Sequence, residues 1–241
     1  MNSFAGGKML IKGIQKTTLV DYPGKVASTI FLYGCNFRCP FCFSPDLVLE
    51  EKKDSTKTFA EEEILSFLSG RRKYIRGVCV TGGEPTLNSD LPVLLSKIKL
   101  LDMSVKLDTN GTNPGMLENL VRKKLVDYIA MDIKAPLEKY STAAGVFVDR
   151  EKIAQSVDFL KECGVDYEFR TTVVPALHSR EDILAICHWL GHAKRYSLQQ
   201  FLPAKTLDQR MAAIRPYTPQ QMKELAELAG PFFDACEVKN M

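Results

Sequence analysis

The strongest constraint on this chain is a regular alternation of short apolar runs with amphipathic stretches of helical period. The first run, Ala27–Tyr33, leads into a cysteine-rich loop. Thr58 and Glu61 then form a capping-box pattern ahead of Ile64, Leu65 and Leu68, with Gly70 as a stop. Gly77–Thr81 is the second run, and Asp90–Leu101 follows with Leu91, Leu94, Leu95 and Ile98 on one helical face. Ser104–Leu107 is the third, ahead of a helix capped by Asn113 with Pro114 in its first position. Tyr128–Ile133 is the fourth, and its helix carries Ile153, Val157 and Leu160 and stops at Gly164. Asp166–Val174, a helix capped by Ser179, Tyr196–Leu202 and a helix opened by Thr218, Pro219 and Gln221 complete the series.

Six β/α units in succession imply a parallel sheet with helices outside it, because right-handed crossovers allow little else. They are too few for the closed eight-fold barrel, so the expected α/β fold is a partial, open (β/α)6 TIM-like barrel. A single domain over residues 1–241 is expected, with its core at about 13–203, an N-terminal extension at 1–12 and a C-terminal helix and tail at 204–241. Chemistry in such folds sits at the carboxyl ends of the strands. The polar motifs fall there: Cys35–Cys42, Gly82-Gly83-Glu84-Pro85, Asp108-Thr109-Asn110-Gly111, Asp132-Ile133-Lys134, and Arg170 with Val173-Val174-Pro175 along the fifth strand.

Charge narrows the partners. Lys and Arg number 32 against 29 Asp and Glu, a net +3, which is no electrostatic footprint for nucleic acid or anionic lipid. The start, MNSFAGGKMLIKG, has no apolar signal segment, and no run approaches the ~20 residues that cross a bilayer. Seven cysteines, an odd number, fit reduced thiols in the cytoplasm better than a disulfide framework.

Cys35, Cys39 and Cys42 place three soft thiolate ligands within eight residues of one loop. Soft sulfur suits zinc or an iron–sulfur cluster. Structural zinc wants four ligands, and His178, His188 and His192 are remote in sequence. Three ligands on a cubane would leave one iron open to an outside molecule; by spacing alone, zinc with a distant fourth partner also fits.

Cys35-x3-Cys39-x-Phe41-Cys42 resembles the signature of the radical S-adenosylmethionine (SAM) superfamily, and Gly82-Gly83-Glu84-Pro85 resembles its second motif. Asp21-Tyr22-Pro23-Gly24-Lys25, the stretch Gly34–Cys42, Leu107-Asp108-Thr109-Asn110-Gly111 and Asp132-Ile133-Lys134 are similar to the glycyl-radical-enzyme activases, above all those serving anaerobic ribonucleoside-triphosphate reductases. The likeness runs from about Gly13 to Gln200.

The resemblance implies an oxidoreductase with a [4Fe–4S] cluster on Cys35, Cys39 and Cys42, and SAM chelated to the fourth iron. A low-potential donor such as flavodoxin or ferredoxin would supply the electron that cleaves SAM, and the resulting 5′-deoxyadenosyl radical would take a hydrogen from a glycine of a partner enzyme. The other roles follow from side-chain chemistry. Gly82 and Gly83 allow close backbone approach, and their carbonyls with Glu84 would accept from the SAM ammonium. Asp108 and Asp132 suit ribose hydroxyls or a cation, Lys134 and Arg170 the SAM carboxylate, and Asn110 the cofactor pocket. Phe41 and Phe43 would lie against adenine and shield the cluster.

One departure stands out: activases of this kind usually read Cys-His-Asn-Pro where this chain has Cys42-Phe43-Ser44-Pro45. Activation of a pyruvate formate-lyase-type enzyme and radical SAM chemistry on a small molecule are the competing readings. An electron carrier or a zinc-stabilised binding module would need neither Gly82–Pro85 nor Asp132–Lys134. Cys79, Cys163, Cys187 and Cys236 read as packing residues or idle thiols, and Trp189 as packing. His188 and His192 have zinc-like spacing but lack the Glu of H-E-x-x-H. Arg71-Arg72-Lys73 with Arg76 and the stretch Glu50–Lys57 read as solvated charge. Gln199-Gln200-Phe201 ends the sixth strand, where a ligand contact is possible, and Lys205–Tyr217 has no pattern that assigns it.

Overall fold

The computed structural model describes residues 9–54 and 57–239. Its strands are β1 (Ile11–Thr18), β2 (Ala27–Leu32), β3 (Gly77–Gly82), β4 (Ser104–Thr109), β5 (Tyr128–Asp132), β6 (Asp166–Val173), β7 (Ala193–Gln200) and β8 (Phe233–Lys239). The helices are α1 (Glu61–Arg71), α2 (Leu91–Lys99), α3 (Pro114–Arg122), α4 (Tyr140–Ala144), α5 (Arg150–Glu162), α6 (Arg180–Leu190) and α7 (Pro219–Ala229). Strand order in the open sheet follows chain order. The alternation of strand and helix is therefore the fold, with two strands more than the apolar runs announce.

Two compact units divide the chain: residues 1–36, 46–109 and 113–129 form one, and residues 37–45, 110–112 and 130–241 the other. In the first, β2, β3 and β4 run parallel, with Thr29 opposite Cys79 and Cys79 opposite Lys106. These strands are buried on both faces, as parallel strands covered by helices must be. Leu91, Leu94, Leu95 and Ile98 of α2 are fully buried at the spacing of one helical face. Burying each such leucine contributes about 1.5–3 kcal/mol.

β1 was not expected, since residues 1–12 read as an extension. It pairs antiparallel with β2. Lys12 and Lys16 interrupt its apolar character, yet Lys12 is buried, its ammonium donating to the Lys53 carbonyl and to Thr58 Oγ1 at 2.9 Å. That contact also defeats the capping box expected at Thr58. Phe59 is drawn into a bridge with Ile11, so Ala60 occupies the N-cap with no side-chain bond. Glu61, Glu62 and Glu63 in the first turn face the helix dipole instead. Gly70 lies inside the helix, which ends one residue later.

In the second unit β6, β7 and β8 run parallel, with Ser197 between Arg170 and Glu237. β8 replaces the expected tail; Asp234 and Glu237 break up its apolar pattern. Three of the caps read from sequence form as expected. Asn113 accepts from the Met116 amide, and both Ser179 with Asp182 and Thr218 with Gln221 make complete capping boxes. Among the described residues, no helix is long and apolar enough to cross a membrane.

Candidate active site

In the first unit the site is built of backbone. β2 ends at Leu32, and Gly34, at φ +98°, turns the chain toward Cys35. β3 ends beside it: Gly83 N donates to Leu32 O at 2.9 Å and Glu84 N to Gly34 O at 2.7 Å. A Cβ on Gly82, at φ +125°, would lie 2.2 Å from the Leu32 oxygen, and one on Gly83 would lie 1.9 Å from the Gly34 oxygen. The backbone of the segment that carries Cys35 leaves no room for a side chain at either glycine.

Glu84 is buried, and its Oε1 accepts from the Thr86 amide at 3.0 Å, from the Thr86 hydroxyl, and from the Thr109 hydroxyl at 2.8 Å. The carboxylate thus ties the end of β3 to the end of β4. Asp108 pairs with the ammonium of Lys106, a lysine buried between Cys79 and the Tyr128 ring. Asp21–Lys25 lies at the amino end of β2, away from Cys35, where buried Tyr22 packs on Tyr128 at 6.1 Å.

In the second unit the loop carrying Cys39 and Cys42 is held at several points. Cys42 N donates to Cys39 O at 3.0 Å, Arg38 N to Ala144 O at 2.8 Å, and Leu207 N and Asp208 N to Cys42 O and Pro40 O at 2.9 Å each. Burial pushes the Cys39 thiol up to about 11, against the pull of the Lys134 ammonium. Cys42 is raised by the same cause. Phe41 is buried but Phe43 is 72% exposed, so the two aromatics around Cys42 do not share one environment.

Asp132, at the end of β5, accepts from Arg170 Nε at 2.9 Å and from Lys134 Nζ at 3.0 Å. Burial works against the Lys134 charge, but Asp132 outweighs it and the ammonium is held well above its usual range. Tyr140 donates to the Asp132 carbonyl at 3.2 Å, and His178 Nε2 lies 2.7 Å from the Lys134 carbonyl. Asn110 makes a turn, its Oδ1 accepting from Thr112 N and Oγ1. Gly111, at φ +77°, has its carbonyl held by Ser156 Oγ at 2.7 Å.

Residues 29–190 match the family model described as the radical SAM superfamily. The chain belongs to the radical SAM superfamily. Over 239 residues it is 33% identical to a candidate glycyl-radical enzyme activating enzyme of Methanocaldococcus jannaschii, covering 97% of each chain. Over 208 residues it is 27% identical to a pyruvate formate-lyase-activating enzyme of Clostridium pasteurianum, covering 82% of each. It is thus a radical SAM protein of the glycyl-radical-enzyme activase family. The crystal structure of Streptococcus suis SuiB bound to S-adenosylmethionine shares its fold, with a TM-score of 0.64 at 17% identity. That match covers 85% of this chain and 48% of SuiB, so the chain spans about half of SuiB's length.

The radical SAM cysteines suit a cluster by donor chemistry. None of the three is in a disulfide, and all lie within eight residues of one loop. Among the described residues, no three His, Cys, Asp or Glu side chains converge as ligands of one ion would. A cubane asks for something else, since each of its cysteines binds a different iron. Buried thiols that keep their protons at neutral pH would release them on binding iron.

The remaining expected features are structural. His188 stacks edge-on against Phe232, and His192 pairs with Asp234 at 3.0 Å, so the two imidazoles have separate partners. Trp189 packs on Tyr140, Cys79 and Cys187 are buried, and Arg71, Arg72, Lys73 and Arg76 are exposed. Gln200 donates to the Tyr217 carbonyl at 3.1 Å. Tyr140, His178 and residues 206–208 had no motif to announce them, because they act through single hydrogen bonds or through backbone; Thr109 stood inside the Asp108–Gly111 motif, which did not reveal its bond to Glu84.

Proposed function

We propose that this radical SAM protein installs a glycyl radical on an anaerobic ribonucleoside-triphosphate reductase. Cys35, Cys39 and Cys42 would hold a [4Fe–4S] cluster, and SAM would bind beside it. The observation that carries the reading is the Asp132 junction, where one carboxylate holds a lysine and an arginine side by side at the end of a strand. A bound cluster would supply one low-potential electron, drawn from a flavodoxin or ferredoxin, to the SAM sulfonium, giving methionine and, after hydrogen abstraction from the partner's glycine, 5′-deoxyadenosine.

The chain's own residues bind, orient and exclude water. Lys134 and Arg170, kept charged and fixed by Asp132, would receive the SAM carboxylate, the guanidinium through its planar fork. The Gly82 and Gly83 carbonyls would accept from the ammonium, with Glu84 acting as the brace that sets their peptide planes. Asp108 would take ribose hydroxyls, Asn110 would shape the turn beside them, and buried Phe41 would keep water from the cysteine loop. Phe43 faces outward and suits a partner surface better than adenine. The whole chain would work as one cytoplasmic enzyme, its thiols reduced.

The test is anaerobic incubation with SAM, reduced flavodoxin and each purified partner, followed by electron paramagnetic resonance. A glycyl signal on the reductase that depends on this protein is expected. A signal on pyruvate formate-lyase alone would favour the second reading, which the Clostridium pasteurianum relative supports; a signal on neither would defeat both.

A further inference from the structure

The stretch after β7 has no sequence pattern, yet it returns to the cysteine loop. Leu207 N and Asp208 N donate to the carbonyls of Cys42 and Pro40, at 2.9 Å each. The two bonds fix the peptide planes on either side of the Phe41-Cys42 pair, and the Cys42 N to Cys39 O bond closes the turn. A loop pinned at both carbonyls has little freedom to swing its thiols.

The donor segment is itself braced. Asp208 caps the turn at Gln209–Ala213 by accepting from Arg210 N at 2.9 Å, and its carboxylate takes the Arg210 guanidinium through Nε at 3.0 Å and Nη2 at 2.7 Å. Thr206 Oγ1 donates to the Asp208 carbonyl at 2.8 Å. Opposite, α4 grips the start of the same loop through Arg38 N and Ala144 O. Gly145 follows at φ +68°, where a Cβ would come within 2.1 Å of the Arg38 oxygen. Arg38, Pro40, Gly145 and Arg210 line one groove, so both grips act on one short loop.

We propose that residues 206–210 form a positioning strap that holds Pro40–Cys42 in the geometry needed to bind the cluster. The strap acts through backbone, with the Asp208–Arg210 clamp setting the direction of the two donor amides. Partners that orient metal ligands commonly govern affinity. The inference rests on reading Cys39 and Cys42 as cluster ligands.

The clamp offers a local probe, since Arg210 is exposed and an exposed ion pair adds little to global stability. Arg210→Met and Asp208→Ala are compared with wild type and with Gln209→Ala, an exposed neighbour outside the clamp. In the protein without iron, hydrogen exchange at Leu207 and Asp208 should be slow in wild type and Gln209→Ala and faster in the two clamp variants. After reconstitution, iron loss to a chelator should be about tenfold faster in the clamp variants. The reduced-cluster resonance should broaden as ligand geometry spreads. Leu207→Pro, which deletes one donor outright, should show the largest effect; if it does not fold, the clamp variants decide.

Unchanged exchange and iron loss in the clamp variants would overturn the strap, as would an equal effect of Gln209→Ala. A wild-type chain that takes up no iron would instead defeat the ligand assignment itself.

Discussion

Gly83 packs on Gly34 so tightly that a methyl group on Gly83 would lie 1.9 Å from the Gly34 carbonyl oxygen. Backbone cannot yield as a flexible side chain can. Gly83→Ala should therefore displace Gly34 and, with it, Cys35. The expected cost is about 1–3 kcal/mol of stability, typical of overpacking, read by denaturant titration. Iron content after reconstitution should fall more steeply than stability, because Cys35 is the next residue.

Asp132 joins Lys134 and Arg170, and its removal leaves two poorly solvated cations without their carboxylate. Asp132→Ala should cost about 2 kcal/mol, less than the roughly 3–5 kcal/mol of a fully buried pair because Asp132 is 29% exposed. Arg170→Met should then cost less in the Asp132→Ala background than in wild type. Strictly additive costs in that cycle would show that the pair is not coupled.

Glu84 works by accepting hydrogen bonds at one oxygen. Glu84→Gln keeps an acceptor in that place, whereas Glu84→Ala leaves the Thr109 hydroxyl and the Thr86 amide without it. Thermal melting should rank wild type, then Glu84→Gln, then Glu84→Ala, with about 1–3 kcal/mol lost in the last. Equal melting temperatures for the two variants would refute the bracing role.

His178 gives a pH prediction. Burial holds its pKa below the usual 6.5, while Val174 N donates to Nδ1 and Nε2 meets the Lys134 carbonyl. As pH falls through about 6.5 the unfolded chain takes up a proton that the folded chain refuses, so stability present above that pH is lost below it. Melting at pH 7.5 and 5.5 should show the loss, and His178→Gln should flatten it. Identical slopes in the two proteins would contradict the assignment.

The sequence revealed what repeats and what carries chemical labels. Apolar runs placed the inner strands β2 to β7, and Asn113, Ser179 and Thr218 placed helix starts because a cap is local. Edge strands were harder to see. β1 is interrupted by Lys12 and Lys16, and β8 by Asp234 and Glu237, since a strand at the rim need not be apolar on both faces. Thr58 had the right spacing for a cap, but Lys12, remote in sequence, claimed its hydroxyl. At the site, ionisable motifs were legible, while backbone work was not: the reason for Gly83 is the Gly34 carbonyl, and the donors at residues 207 and 208 are amides that any residue but proline would supply.

Cys35, Cys39 and Cys42 are proposed to hold a cluster that cleaves SAM. This is tested most directly by anaerobic reconstitution with iron and sulfide, reduction with dithionite in the presence of SAM, and measurement of 5′-deoxyadenosine in wild type and Cys39→Ala. About four irons per chain and steady 5′-deoxyadenosine formation are expected in wild type, with loss of both in the variant. A wild-type protein that binds its cluster yet forms no 5′-deoxyadenosine, or a Cys39→Ala protein with undiminished iron, would contradict the proposal.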